Sequence, residues 1–185
     1  MVTWLLVLII ILAVILISCF AIYNSLIRSR NNVENAWSQI DVQLKKRYDL
    51  IPNLIETVKG YMKHEAGTLK EITQLRAQAM GVKDRDLKMR AESQISKAVS
   101  GLLNVAVESY PDLKASQNFM MLQEELSGVE SKIAYSRQYY NDSIMVYNNK
   151  VQMFPTNVFA KMFSFEDKKF LETAEAEKKN VKVSF

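Results

Sequence analysis

The chain has 185 residues and a formal net charge of +4, which results from 24 lysine and arginine and 20 aspartate and glutamate side chains. A single cysteine and a single histidine exclude an internal disulfide and a zinc site made of several cysteine and histidine ligands. The weak positive charge is dispersed and accompanies no recognition motif, so we expect no nucleic-acid partner.

The amino-terminal segment is the first predicted element. No charged side chain occurs in the first 27 residues, and residues 4–22 are almost purely apolar. As a helix, this run rises by about 1.5 Å per residue to about 29 Å, close to the ~30 Å hydrocarbon core of a bilayer. We therefore predict a transmembrane signal anchor over residues 1–27, with the lipid bilayer as the partner of residues 4–22.

The apolar segment could attach the chain to the membrane in more than one way. A cleaved secretory signal needs a basic flank and a shorter apolar run than this one. Residues 16–19 (LISC) are similar to a bacterial lipobox, which makes Cys19 a candidate for lipidation. Basic side chains follow the apolar run and none precedes it, so the positive-inside rule favours an uncleaved single-pass anchor in the cell (inner) membrane. The amino terminus would then lie outside and the bundle in the cytoplasm, whereas lipidation of Cys19 would place the bundle in the periplasm or outside the cell.

The rest of the chain repeats apolar residues at steps of three and four, which predicts packed amphipathic helices. Pro52, Gly81 and Pro111 mark the breaks between them. Short connections imply antiparallel neighbours. The predicted fold class is therefore all-α, with the N-terminal transmembrane helix continuing into a long antiparallel four-helix up-and-down bundle. Its predicted helices cover residues 28–48, 52–80, 84–109 and 112–153.

The carboxyl-terminal part of the chain changes in composition. An aromatic-rich stretch follows the fourth predicted helix, and these aromatic side chains either cap the bundle or contact a neighbour or lipid headgroups. Its candidate interaction residues are Phe154, Phe159, Phe163 and Phe165. The sequence then becomes charged, and its last residues alternate like a strand that has no partner. We expect the helical bundle to cover residues 28–165 and a mobile tail to cover residues 166–185.

A second candidate interaction site lies at the corner expected between the first two helices of the bundle. The alternative is a purely structural corner that closes one end of the bundle. The preceding basic run, residues 45–47 (KKR), is expected to face solvent or lipid. The site combines apolar and polar side chains in one run, which consists of Tyr48, Asp49, Leu50, Ile51, Pro52 and Asn53.

The sequence offers no set of residues suited to catalysis or to binding a cofactor or a metal. The only histidine, His64, is expected to be a solvated helix residue, and the five glycines are too scattered for a phosphate-binding loop. No Glu-x-x-His pair recurs, as a carboxylate-bridged metal site in a bundle requires. We therefore predict no enzyme activity, no cofactor and no metal.

Several long runs of the sequence are similar to those of a known family. They are residues 30–65 (RNNVENAWSQIDVQLKKRYDLIPNLIETVKGYMKHE), 110–114 (YPDLK), 122–126 (LQEEL) and 140–148 (YNDSIMVYN). Residues 154–155 (FP) and 163–165 (FSF) fit the end of the same pattern, with Ser164 in place of a common glycine. On these runs the chain resembles the LemA family over residues 23–165.

This resemblance implies a bacterial membrane protein with a helical bundle and no known reaction. Family members include membrane-anchored and lipoprotein forms, and their genes often lie beside membrane metalloprotease genes. The predicted function is a non-enzymatic, membrane-anchored helical scaffold or adaptor that forms a homo-oligomer at the bacterial membrane. The alternatives are an accessory subunit of a membrane protease or of an envelope-stress sensing complex, and a lipoprotein lipidated at Cys19 with its bundle outside the cytoplasm.

Overall fold

The computed structural model describes residues 2–172 of the chain. Its elements are α1 (Val2–Lys59), a 3-10 turn (Lys63–Glu65), α2 (Ala66–Gly81), α3 (Arg85–Ser109), α4 (Pro111–Lys114), α5 (Gln117–Gln152) and α6 (Thr156–Met162). No strand occurs among these described residues, so the predicted all-α class is confirmed. Most of the predicted mobile tail, residues 173–185, lies outside the described residues, and its mobility stays a prediction.

Helix α1 changes from an exposed helix to a packed one just after the predicted membrane span. Its first part is long and apolar enough to cross a membrane, and none of its most apolar stretch is buried. Leu26 is the first fully buried side chain, and Val33 and Ile40 follow at the spacing of a packed seam. Packing therefore begins about one helical turn beyond Ile22, where the apolar run ends.

Two predicted helix boundaries differ from those observed in α1. The break predicted between residues 48 and 52 is wrong, because α1 runs unbroken through Pro52 to Lys59. A proline inside a helix leaves the carbonyl four residues before it without its helical donor. Here that carbonyl belongs to Tyr48, and the Nε–H of Arg76 donates to it at 2.7 Å. The chain breaks instead at residues 60–65, so the predicted corner is an interior stretch of α1.

The structure divides into two compact units, and helices α1 and α5 contribute residues to both. Unit 1 contains α1 as far as Gln39, together with residues 136–170. Within it, the rings of Trp37 and Tyr140 are 5.6 Å apart, and Lys150 Nζ lies 3.1 Å from Ser25 Oγ. Residue numbers rise along α1 as they fall along α5, so the two helices run antiparallel in this unit.

The segment that follows α6 returns along α5 in unit 1. The side-chain amide of Asn148 donates to the carbonyl of Lys168 at 2.8 Å and accepts from its N–H at 2.9 Å. The hydroxyl of Tyr147 donates to the carbonyl of Glu166 at 3.0 Å. These bonds satisfy the backbone of a segment that has no regular secondary structure.

Unit 2 contains residues 40–135 with the described residues Leu171 and Glu172. Side chains of helix α3 bond to α1 and to α5 in it. Lys88 Nζ lies 2.6 Å from Asp41 Oδ1 on α1, and Ser96 Oγ donates to Glu130 Oε1 on α5 at 2.9 Å. An antiparallel up-and-down bundle over the whole domain stays a prediction.

The end of α6 places Ser164 in the left-handed region, with φ of 55°. The N–H of Phe165 donates to the carbonyl of Ala160, and the N–H of Ser164 donates to that of Lys161, at 2.8 and 3.2 Å. This is the Schellman arrangement, in which glycine is preferred at the left-handed position because it has no Cβ. The position of Ser164 therefore explains why a glycine would fit better.

We expect Ser164→Gly to raise the free energy of unfolding by about 1 kcal/mol, because it removes the left-handed strain of a residue with a Cβ. The measurement is urea unfolding of the full chain in gentle detergent, followed by circular dichroism. Ser143→Gly, in the interior of α5, is the matched control and should lower stability by about 0.5 kcal/mol. A loss of stability in both variants would contradict the expectation.

Candidate functional site

The predicted interaction corner divides between the packed face and the solvent face of α1. Its role in binding a partner stays a prediction. Tyr48 is 6% exposed and Ile51 is fully buried. Leu50 is half-buried, and the exposed members are Asp49, Pro52 and Asn53.

A buried charged cluster lies beside Tyr48 in unit 2. The guanidinium of Arg47 pairs with Glu92 at 3.2 Å and also with Glu130. The hydroxyl of Tyr48 donates to the second carboxylate oxygen of Glu92. The Arg47 and Glu92 side chains are 4% and 5% exposed, whereas that of Glu130 is 51% exposed. Helices α1, α3 and α5 therefore meet at one buried ion pair and one solvent-accessible carboxylate.

Burial dominates the protonation equilibria of this cluster. It raises the pKa of the Glu92 carboxyl, although the Tyr48 hydrogen bond and the Arg47 charge oppose it. It lowers the pKa of Arg47, which the nearby Glu92 carboxylate opposes. It also raises the pKa of Tyr48, so the phenol keeps its proton and remains a hydrogen-bond donor at neutral pH. Arg47 and Tyr48 each bond to Glu92, and the cluster ties α1 to α3.

The sequence patterns did not predict this cluster, and the expected position of Arg47 was wrong. Arg47 was expected to face solvent or lipid with its basic neighbours, but it is 3% exposed. Its spacing indicates a buried position, because Arg47 lies three residues after Leu44 and four before Ile51, both fully buried. Glu92 likewise lies three residues before the buried Ile95. A charged residue at a seam position indicates a buried partner, although the spacing alone does not say which one.

The candidate aromatic residues are placed differently from one another in unit 1. Phe154 is 83% exposed, Phe163 is 45% exposed and Phe165 is buried, whereas Phe159 is half-buried. Tyr23 contacts two of them, with ring centroids 4.9 Å from Phe163 and 6.0 Å from Phe165. Phe163 and Phe165 therefore lie against α1 close to the end of the apolar run.

Cys19 lies in α1 and is partly exposed. Its lipidation stays a prediction. Among the described residues, no group of three or more histidine, cysteine, aspartate and glutamate side chains is placed to hold a metal ion.

A groove of about 660 Å³ lies along α2 and α3 in unit 2. Its lining includes the apolar residues Leu75, Leu102 and Val105 and the charged residues Glu71 and Lys97. Its lining contains no histidine or cysteine.

A second, smaller cleft of about 230 Å³ adjoins the charged cluster. Arg47 and Glu130 line it together with hydroxyl and amide side chains, which include Ser100, Asn104 and Gln123. Its walls come from α3 and α5, with α1 contributing Arg47.

Comparison with known proteins gives two matches that cover most of the chain. The model of the LemA family matches residues 36–185. Protein LemA of Metamycoplasma hominis is 31% identical over 162 residues, which cover 87% of this chain and 74% of the relative. The family match begins in α1 beyond the apolar run and includes residues of both units.

Proposed function

The chain belongs to the LemA family, and on that premise we propose that it is a non-enzymatic, membrane-anchored helical scaffold or adaptor. It would span the cell (inner) membrane once and assemble with copies of itself at the membrane surface. The observation that carries this proposal is α1, which joins an exposed apolar run to a packed helical seam without a loop.

The apolar run supports the anchoring part of the proposal. Residues 2–18 are all exposed, and an exposed apolar surface of this length has a favourable environment in lipid. Packing begins at Leu26, so the helical domain would stand directly on the membrane with no flexible linker. A linker-free connection suits a protein that positions other molecules at a defined distance from the bilayer.

We propose an orientation with the amino terminus outside and the helical domain in the cytoplasm, because Arg28 and Arg30 follow the apolar run. The test uses Cys19→Ser with a new cysteine after Phe185, treated in intact cells with a membrane-impermeant thiol reagent. Labelling only after permeabilisation is the expected result. Labelling of intact cells would place the domain outside and would revive the lipoprotein alternative at Cys19.

An exposed apolar stripe on α5 supports self-assembly. Met121, Tyr135, Tyr139 and Val146 lie on one face of the helix, at spacings close to multiples of 3.5 residues. They are 57%, 72%, 40% and 49% exposed, respectively. Unpartnered large side chains at this spacing are typical of a helix that packs against another helix.

We expect the full chain in gentle detergent to form oligomers in native mass spectrometry, and Tyr135→Ser/Val146→Ser to shift the population to monomer by about tenfold. That factor corresponds to a loss of about 1.4 kcal/mol in association free energy. Met145→Ser is the matched control, because Met145 and Val146 are equally exposed at 49% but lie about 100° apart around α5. Monomer at every concentration of the unaltered chain would overturn the self-assembly part of the proposal.

A further inference from the structure

Helix α6 and the three residues before it expose a group of large apolar side chains in unit 1. Met153 and Phe154 are 62% and 83% exposed, and Val158 and Met162 are 57% and 62% exposed. We call these four residues the α6 apolar face. None of the five glycines lies in this segment, and α6 is a regular helix that holds Val158 and Met162 on one side.

Contacts with α1 fix the position of α6 along that helix. The ring of Phe163, directly after α6, is 4.9 Å from the ring of Tyr23. Lys150 Nζ, near the end of α5 and six residues before α6, is 3.1 Å from Ser25 Oγ. Tyr23 is the next residue after Ile22, where the apolar run ends, so α6 lies beside the first turn of α1 that follows the run.

We infer that the α6 apolar face inserts into the headgroup layer of the same bilayer that α1 crosses, so that α6 is an interfacial helix beside the membrane span. This inference rests on the proposed membrane anchoring of α1. The interfacial layer extends roughly 5–7 Å beyond the hydrocarbon core on each side, which is about the length of one helical turn. Short amphipathic segments bury apolar faces to that depth.

The charges around α6 favour lipid over a protein as the occupant. Arg28 and Lys161 are exposed, and the Arg30 guanidinium lies 5.5 Å from the centre of the Phe165 ring. Basic side chains next to exposed phenylalanine and methionine match the anionic headgroups and acyl boundary of a bilayer. Tyr23 at the same level is the type of residue enriched at membrane–water interfaces.

The test places a fluorophore at single cysteines in the full chain with Cys19→Ser, reconstituted in phosphatidylcholine and phosphatidylglycerol vesicles. Phe154→Cys reports on the α6 apolar face, and Leu12→Cys reports on the span. Ser38→Cys is the control in unit 1, because Ser38 is exposed on α1 about 22 Å along the helix from Tyr23. Quenching by nitroxide groups attached to the lipid acyl chains is measured at each site.

We expect the label at Phe154 to be quenched about threefold more strongly than the label at Ser38, as is typical of shallow insertion. Quenching at Leu12 but not at Phe154 would overturn the inference while leaving the membrane anchor intact. Absence of quenching at both sites would overturn the proposed membrane anchor and, with it, the proposed insertion of α6. Shielding of Phe154 from lipid and from a water-soluble quencher together would assign the face to a second copy or another protein, which also overturns the inference.

Discussion

Arg47→Met is expected to lower the free energy of unfolding by about 3–5 kcal/mol at neutral pH, because it leaves the Glu92 carboxylate buried without its cation. Methionine keeps most of the side-chain volume, so the loss comes from the charge and not from a cavity. Glu130 loses the same partner at little cost, since its side chain is 51% exposed. The measurement is urea unfolding of the full chain in detergent.

The pH dependence of that loss identifies its cause. Burial already raises the pKa of Glu92, and removing Arg47 takes away a charge that lowers it. A carboxyl whose pKa is higher in the folded state contributes stability below its unfolded pKa, about 4.3, and loses it as the pH rises through the folded value. The variant should therefore approach the stability of the unaltered chain near pH 4 and fall behind it as the pH increases.

Two further variants complete this test. Arg47→Met/Glu92→Gln should recover most of the loss at neutral pH, because it removes the uncompensated carboxylate. Lys45→Met, two residues away on α1, should change stability by less than about 0.5 kcal/mol, because its ion pair with Asp49 is exposed. A loss in Arg47→Met that is independent of pH and persists with Glu92→Gln would show that packing, and not charge, governs this position.

Arg76→Ala is expected to lower the free energy of unfolding by about 1–3 kcal/mol, because it leaves the Tyr48 carbonyl without a donor. Pro52→Ala supplies a backbone N–H to the same carbonyl and should raise stability, since proline in a helix interior costs about 3 kcal/mol relative to alanine. In the Pro52→Ala background, Arg76→Ala should then cost about 1 kcal/mol less than in the unaltered chain.

The four chains of this double-mutant cycle are compared by urea unfolding. Gln74→Ala, at an exposed position of α2, is the matched control and should have no measurable effect. Equal costs of Arg76→Ala in both backgrounds would mean that the Arg76 side chain stabilises α2 through other contacts and does not compensate for Pro52.

The large features of this fold could be predicted because they are repeated along the sequence. Val33, Ile40 and Leu44 lie on the repeat of three- and four-residue steps, and all three are fully buried. The helical class follows from many such residues, so no single exception changes it. The break at Pro52 was predicted wrongly because the donor that compensates for it, Arg76, is 28 residues away from Tyr48.

The charged cluster was harder to predict for the same reason. Arg47 and Glu92 are 45 residues apart, and a buried charge is tolerated only where such a distant partner is placed against it. Ser164 could be singled out from the family resemblance, whereas its left-handed backbone is visible only in the structure. Local sequence patterns therefore predict the helices, and long-range pairs decide where the helices end and which charges are buried.

The unbroken α1 has a mechanical consequence for a protein anchored as proposed. A stiff helix without an intervening loop transmits a tilt or an axial shift along its length, whereas a flexible linker would absorb it. Bilayers of different thickness change the tilt of a spanning helix. A change of tilt at residues 4–22 would therefore move Leu26 and Val33, the buried side chains nearest the membrane. The packing around them would then change with the thickness and tension of the surrounding lipid.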